Sequence, residues 1–173
     1  MVTKAEIDRR LQGLRKEYGD FPVHNETYDL APEQYSRAHD IHTNGVPGTA
    51  RVWVEHDEEV LLVRTEHRPE SWGVPGGFIE PEERADRAGK REVHEETGVE
   101  CDIFAISYIH RATRRHENDE EPPLEEFAVA FIAEYDGGEL QPQESEIREL
   151  KWWSDIPENS YSPATRIAPN RLG

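Results

Sequence analysis

Apolar residues near the start of the chain recur at the spacing of an α-helix. Those that share one face are Ile7, Leu11, Leu14 and Tyr18. Because side chains three and four positions apart lie on the same side of a helix, this pattern predicts a first helix that Gly19 ends. Thr3 and Glu6 stand at its start in capping-box spacing. Residues 20–45 lack this periodicity and are expected to be irregular, apart from a short helix at 32–40.

Apolar runs further along the chain predict strands. Gly48 to Thr65 reads as two strands joined by a tight acidic turn at Asp57 to Glu59. Residues 68–83 are rich in glycine and proline and are predicted to form a loop. Residues 82–97 favour a helix, and Gly98 is placed to end it.

The second half of the chain reads mainly as strands. Asp102 to His110 and Glu126 to Tyr135 are predicted strands on either side of a charged loop at 111–125. Another strand is expected within 146–158. The last dozen residues, 162–173, are expected to fray.

The length of 173 residues corresponds to about one domain that can bury its own core. We expect a helical extension at 1–45, a main domain at 46–160 and a C-terminal tail at 161–173. The single cysteine, Cys101, cannot form an intrachain disulfide, and the sequence shows neither a signal region nor an apolar stretch of membrane-spanning length. A soluble cytoplasmic protein that does not associate with membranes is therefore expected.

The charge of the chain is strongly negative. It has 37 aspartates and glutamates against 20 lysines and arginines, for a formal net charge of −17. This balance argues against binding of a nucleic-acid duplex, which normally needs a basic surface. Only four of the basic residues are lysines, and acid-rich, lysine-poor composition resembles that of proteins from salt-accumulating archaea. At molar salt the Debye length is roughly 3 Å, so the self-repulsion of such a surface is screened, and we expect a halophilic protein.

Three glutamates fall within two turns of the helix predicted at 82–97. At about 100° per residue, Glu92, Glu95 and Glu96 lie on the same side as small and apolar residues such as Ala88 and Gly89. On a solvated acidic face, the glutamates would point outward and the small and apolar residues would point inward. Like charges on an inward side repel unless something positive lies among them. A divalent cation is the natural candidate, and oxygen ligands suit Mg²⁺ or Mn²⁺.

The segment around these glutamates resembles a known motif. Gly77 to Val99, GFIEPEERADRAGKREVHEETGV, matches the Nudix box, G-x5-E-x7-R-E-U-x-E-E-x-G-U with U aliphatic, at every specified place. The resemblance implies a Nudix hydrolase: an α+β fold in which an α/β/α sandwich surrounds a mixed β-sheet, here with an added N-terminal helical segment. Glu82 stands where relatives often have glycine, which puts the geometry of that turn in question.

The resemblance also implies roles for box residues. Glu92 and Glu96 would be the principal ligands of Mg²⁺ or Mn²⁺, and Glu95 would bind the metal directly or through water. The carbonyl of Gly76 would be a further ligand. Arg91 would hold a box glutamate by a bidentate pair. Glu83 would support the metal site.

A polyphosphate is protected by its own charge, so metal and basic groups must neutralise it, and a carboxylate must accept the proton of the attacking water. Glu95 is the first choice for that base. Weaker candidates lie in the charged loop: Glu120, Glu121, Glu125 and Glu126. The arginines that could grip phosphate are Arg51, Arg64, Arg111 and Arg114.

Family resemblance implies cleavage of a phosphoanhydride bond in a nucleoside diphosphate linked to another moiety. A nucleoside triphosphate or an ADP-ribose-like compound is expected from family frequency alone, and a homodimer likewise. The alternative is a Nudix-fold module that senses a nucleotide or sugar without hydrolysing it. Such modules commonly lose box residues, so the intact box favours the enzyme.

Overall fold

A computed structural model describes residues 1–171, which form four helices and eight strands. In chain order they are α1 Lys4–Tyr18, β1 Val23–Leu30, α2 Pro32–Thr43, β2 Gly48–His56, β3 Glu59–Thr65, β4 Arg68–Gly73, β5 Gly76–Phe78, α3 Ala85–Thr97, β6 Val99–His116, β7 Leu124–Gly138, β8 Ile147–Trp153 and α4 Ala164–Arg171. No helix of this part of the chain is long and apolar enough to cross a membrane.

The strands form one mixed sheet in the order β1-β6-β7-β2-β3-β4. Strands β1 and β6, and strands β7 and β2, pair in parallel, whereas β6 with β7 and β2 with β3 are antiparallel. Strand β5 pairs with β2, and β8 pairs with β3. The mixed sheet and the four helices confirm the expected α+β class.

Helices cover both faces of the sheet because its central strands alternate between two cores. Val52 and Val54 point into one core, where they meet the apolar faces of α1 and α3. Trp53, between them, points into the other core, which Ile167 of α4 helps to fill. Each such large buried side chain stabilises the fold by about 1.5–3 kcal/mol. The result is an α/β/α sandwich.

Two segments that are expected from the sequence to be irregular contain strands. Strand β1 lies within 20–45, where its side chains are mostly exposed, and it is held by parallel pairing to β6. Strand β4 lies within the predicted loop at 68–83 and pairs with β3. The N-terminal extension is therefore not only helical, and its strand belongs to the same sheet as the main domain. Strand β1 is stabilised by a distant partner that local periodicity does not report, whereas β4 forms a hairpin with the preceding strand β3.

The predicted frayed tail is wrong for most of its length. Residues 164–171 form α4, in which Ala164 and Ile167 are fully buried, while residues 172–173 lie outside the described chain. The charged loop at 111–125 is also shorter than expected, because β6 extends to His116 and β7 begins at Leu124.

The predicted acidic turn between β2 and β3 and the predicted end of α3 are both confirmed. Both contain residues with a left-handed backbone conformation. Asp57 and Glu58 have positive φ in the hairpin between β2 and β3, and Gly98 ends α3 with a φ of 76°. Glu82 has a φ of 64°, a conformation that glycine adopts without cost. The turn before α3 therefore keeps its left-handed conformation, which a glutamate adopts with slight backbone strain.

Candidate active site

The centre of the site is the close contact between β5 and α3. A Cβ atom on Gly77 would lie 2.6 Å from the Glu92 carboxylate, and one on Gly89 would lie 2.9 Å from a methyl group of Val52 on the adjacent β2. At Gly77 a side chain would displace the Glu92 carboxylate, and at Gly89 it would push the helix away from the sheet. The small residues on the inward side of α3 thus place Glu92 and Glu96 against the β5 backbone, whereas Glu95, predicted to lie on the same side, is exposed.

Glu96 is the most deeply placed of these glutamates. Its side chain is buried, and its Oε2 accepts a hydrogen bond of 3.1 Å from the backbone N–H of Gly76. Burial is the main cause that raises the pKa of Glu96 to about 7. The nearby carboxylates of Glu92 and Glu146 raise it further, whereas the Gly76 N–H and the charge of Arg51 lower it. A carboxylate held in this way lacks a strong positive partner.

Glu92 shares this environment. Burial is the main cause that raises its pKa, and Arg91, whose Nη1 lies 3.0 Å from its Oε1, opposes that shift. One buried and one partly buried carboxylate, adjoining and with raised pKa values, are oxygen donors of the kind that a hard divalent cation prefers. The residues present therefore fit a magnesium or manganese ion.

The ligands are not drawn together into a finished metal cluster. Within residues 1–171, no three histidine, cysteine, aspartate or glutamate side chains converge at metal-binding spacing. Arg91 draws Glu92 and Glu95 toward itself, with its Nη1 at 3.0 and 3.3 Å from their oxygens. The carbonyl of Gly76, predicted to be a ligand, accepts a hydrogen bond of 2.8 Å from Arg51.

Arg91 is the centre of a polar network at this site. It makes a bidentate pair with Glu83 at 2.9 and 3.0 Å, and its Nη2 donates to the carbonyl of Phe78 at 3.0 Å. The pair with Arg91 lowers the pKa of Glu83, despite partial burial. Arg91 thereby fastens the loop before α3 to the helix, and Glu83 acts on the box glutamates only through it.

Helix α1 supports the same loop from outside the box. Arg10 donates a hydrogen bond of 2.7 Å to the carbonyl of Glu83, and the hydroxyl of Tyr18 donates one of 2.8 Å to Asp86 in the first turn of α3. Arg84 pairs with Glu17. Three contacts therefore tie the N-terminal helix to the start of the glutamate-bearing helix.

A cleft of about 690 Å³ opens beside the box glutamates. One wall carries Glu92, Glu95 and Glu96. A second group of lining residues, which we call the facing wall, comes from β1, β4, β6 and the region of α4: Glu26, Tyr28, Arg68, Tyr108, His110, Tyr161 and Arg166. A cleft of this size holds a nucleotide-sized molecule.

Sequence reasoning missed several of these residues. Glu146 precedes β8, lines the cleft and lies near enough to Glu92 and Glu96 to raise their pKa values. Arg68 lies in a segment expected to be a loop, and Arg166 in one expected to fray. Helix α4 is fixed by distant contacts, and β4 forms a hairpin with β3 within a segment rich in glycine and proline. No local signal in the sequence therefore marks either arginine as a cleft residue.

Of the four predicted phosphate-binding arginines, only Arg51 lines this cleft. Arg64 pairs with Glu149 and lies 5.1 Å from the centre of the Trp72 ring. Arg111 donates to Asp8 at 2.7 Å, on the side of α1. The other three are bound in ion pairs, which is the ordinary role of surface arginine.

Arg114 is the third of these and pairs with Glu126 at 2.5 Å. Among the base candidates in the charged loop, Glu125 is likewise engaged, by Arg111 and by the Thr113 hydroxyl. Glu120 and Glu121 are exposed between β6 and β7. Glu95, by contrast, lines the cleft.

A family model described as the NUDIX domain matches residues 46–166, more than half of the chain. The chain belongs to the NUDIX family. Among curated relatives, it is 34% identical over 119 residues to the NAD-capped RNA hydrolase NudC of Deinococcus radiodurans, a match covering 67% of this chain and 38% of the relative. Its match to NudC of Chromobacterium violaceum is also 34% identical, and covers 59% of this chain and 36% of the relative.

This NUDIX chain thus spans less than two-fifths of the length of those relatives. Solved structures agree on the fold. A MutT NUDIX hydrolase from Burkholderia pseudomallei aligns with a TM-score of 0.54 at 24% identity, over 73% of this chain and 98% of that one. A NUDIX hydrolase from Clostridium perfringens gives 0.56 at 22% identity, over 73% and 95%. The Nudix-type sandwich expected from the box is therefore confirmed.

Proposed function

We propose that the protein is a metal-dependent hydrolase that cleaves a diphosphate bond in a nucleoside diphosphate linked to another moiety. The observation that carries this proposal is the position of the buried Glu96 and the partly buried Glu92 against the Gly76–Gly77 backbone, beside a nucleotide-sized cleft. Buried carboxylates without sufficient positive charge are costly. The presence of these two carboxylates beside a cleft, despite that cost, supports a function that needs them.

Magnesium or manganese is the proposed ion. Glu96 and Glu92 would be its principal ligands, with Glu95, Glu146 and the Gly76 carbonyl as further donors. When bound, such an ion neutralises phosphate charge and makes a water molecule a better nucleophile. Cation binding would also require Arg91 to release part of its hold on Glu92 and Glu95, while its bidentate pair with Glu83 keeps it in place.

Glu95 is the proposed general base. Arg91 contacts its Oε2 at 3.3 Å, and the side chain is 48% exposed. Its Oε1 is thus available to accept the proton of a water molecule that attacks in line with the leaving phosphate. Arg51, which lines the cleft and donates to the Gly76 carbonyl, would meet the negative charge of the phosphates.

The substrate class is proposed from the family and from the relatives. NudC of Deinococcus radiodurans is named for hydrolysis of NAD-capped RNA, and a mouse relative, 56% identical over 45 residues, is named a diphosphoinositol polyphosphate phosphohydrolase. We propose a small nucleotide derivative rather than RNA, because the net charge of −17 opposes binding of a polyanionic chain. We also propose that the protein is halophilic, so assays belong in molar KCl.

The test is a substrate panel with Mg²⁺ or Mn²⁺. It contains nucleoside triphosphates, ADP-ribose, NADH, nucleotide sugars, dinucleoside polyphosphates, NAD-capped RNA and a diphosphoinositol polyphosphate, and released phosphate is measured after a phosphatase step. We expect metal-dependent turnover of one compound class, its loss in Glu96→Gln and its retention in the exposed control Glu144→Gln. Tight binding without turnover across the whole panel would contradict the hydrolase and favour a sensor.

A further inference from the structure

The facing wall of the cleft contains two arginines that make no ion pair with an acidic side chain of the described chain. Arg68 and Arg166 both line the cleft, and within residues 1–171 neither has an acidic group within 4.0 Å. What distinguishes these two arginines is their position, because both line the cleft that also contains the box glutamates. Their charge is therefore available to a ligand in that cleft.

Arg68 is held in position by an aromatic ring. Its guanidinium carbon lies 4.3 Å from the centre of the Tyr161 ring, and its backbone N–H donates to the Thr65 hydroxyl at 3.1 Å. Tyr161 is itself fixed, because its N–H donates to the Trp72 carbonyl at 3.0 Å and its ring fills the space above Gly73. A guanidinium that stacks on a ring keeps the donors along its edge free for phosphate oxygens.

Arg166 is presented in the same manner from α4. Its guanidinium carbon lies 5.3 Å from the centre of the Tyr108 ring. The helix is anchored on both sides of it, by the buried Ala164 and Ile167 and by the pair of Arg171 with Glu55 at 2.5 Å. Arg166 is therefore supplied by a fixed element and not by a loose tail.

One acidic residue, Glu26, also lines this wall. Its carboxylate is already engaged by the Tyr28 hydroxyl and by His110 Nε2, the latter at 2.6 Å. The Tyr28 and His110 contacts are the main causes that lower the pKa of Glu26, and the charge of Arg166 makes a smaller contribution. Arginines cover one face of the Tyr161 ring and one face of the Tyr108 ring.

We propose that Arg68 and Arg166 form a second anion subsite, which binds at least one phosphate beyond the diphosphate that is cleaved. The inference rests on the proposed function for the position of that diphosphate: the carboxylate wall, with its metal ion, takes the cleaved group. Two uncommitted arginines on the facing wall then match additional phosphate. The substrate class is a small compound with three or more phosphates, since the cleft holds a nucleotide-sized molecule.

The experiment compares the binding of two inorganic probes, tripolyphosphate and pyrophosphate, by calorimetry at one fixed KCl concentration. The wild-type protein should bind tripolyphosphate about tenfold more tightly, and the double variant Arg68→Gln/Arg166→Gln should lose that preference, a change of about 1.4 kcal/mol. The control is Arg37→Gln/Arg148→Gln, which removes the same charge from exposed arginines outside the cleft. It should retain the preference.

Arg68→Lys/Arg166→Lys adds a second variant, which keeps the charge but loses the planar fork and should have an intermediate preference. The same proteins are then assayed with a nucleoside diphosphate and triphosphate of one base. An unchanged tripolyphosphate preference in the Gln double variant would overturn the subsite while leaving the hydrolase intact. Arginine-dependent tripolyphosphate binding without hydrolysis of any compound would instead overturn the proposed function and leave the subsite standing.

Discussion

The two walls of the cleft are built in opposite ways. Most of the carboxylate wall comes from one continuous segment, the β5 strand, the following turn and helix α3, which supplies Glu92, Glu95 and Glu96. Glu146 joins these carboxylates from the loop before β8. The facing wall is assembled from β1, β4, β6 and α4, which are far apart in sequence, and it carries arginine, histidine and tyrosine. The comparison indicates that cleavage chemistry is encoded locally, whereas the part that contacts the rest of the substrate depends on tertiary assembly.

The largest effect is expected from a change that disturbs the carboxylate wall without unfolding it. In Gly77→Ala the new methyl group would lie 2.6 Å from the Glu92 carboxylate, the flexible end of a side chain that can move aside. We expect kcat/KM to fall about a hundredfold, the effect of misplacing a reacting group by about 1 Å, with little change in melting temperature. Turnover and thermal unfolding measured on the same preparation check this.

The control for that change is Gly13→Ala. Gly13 lies in α1, and a Cβ atom there would meet nothing within 4 Å. Alanine favours helix over glycine by about 1 kcal/mol, so this variant should be slightly more stable and equally active. If Gly77→Ala were as active as Gly13→Ala, the close contact of loop and helix would not matter for catalysis.

Cation binding to the carboxylate wall should stabilise the folded protein. At a Mg²⁺ concentration 100 times the dissociation constant, the free energy of unfolding should rise by about 2.7 kcal/mol, or about 5–10 °C in melting temperature for a chain of this size. The shift should be absent in Glu96→Gln and present in Glu144→Gln. Equal shifts in both variants would mean that Mg²⁺ acts through the acidic surface alone.

The difference between the walls also explains what could be predicted from sequence. Helical periodicity predicts which side of α3 carries Glu92, Glu95, Glu96 and Gly89, and the need for glycine in a left-handed turn predicts that the helix ends at Gly98. The inward side of α3 could therefore be predicted from residues close together in the sequence. The facing wall could not be predicted in this way, because Arg166 lines the cleft only when Ile167 packs into a core whose other residues are far away in the sequence. Arg64 shows the converse error: it ends a predicted strand near the glycine loop, yet Glu149 on β8 engages it.

Helix α1 lies outside the residues that the family model matches, yet it contacts the loop of the carboxylate wall. Arg10→Gln removes the 2.7 Å hydrogen bond to the Glu83 carbonyl and also the 3.1 Å pair with Glu6 on the same helix. A hydrogen bond from a charged donor contributes about 1.5–3 kcal/mol. We expect a loss near the lower value in urea unfolding and a several-fold loss of kcat. The neighbouring, exposed Arg9→Gln is the matched control and should resemble the wild type. Equal effects of the two would mean that α1 supports the site through its apolar face alone.

The smallest effect concerns the anchor of the facing wall. Arg171 lowers the pKa of Glu55 from its ordinary value of 4.5, aided by the Trp53 indole N–H and opposed by partial burial. A lowered carboxyl pKa contributes stability above that ordinary value, and the contribution is lost as the pH falls through the lowered pKa. Arg171→Gln should therefore cost up to about 1 kcal/mol at pH 7, the scale of a partly exposed pair, and less at each step below about pH 4.5. Urea unfolding of the variant and the wild type across this range checks the sign. A cost that stayed constant with pH would show that Arg171 holds α4 by packing, and the position of Arg166 would then depend on the buried Ile167 instead of the ion pair.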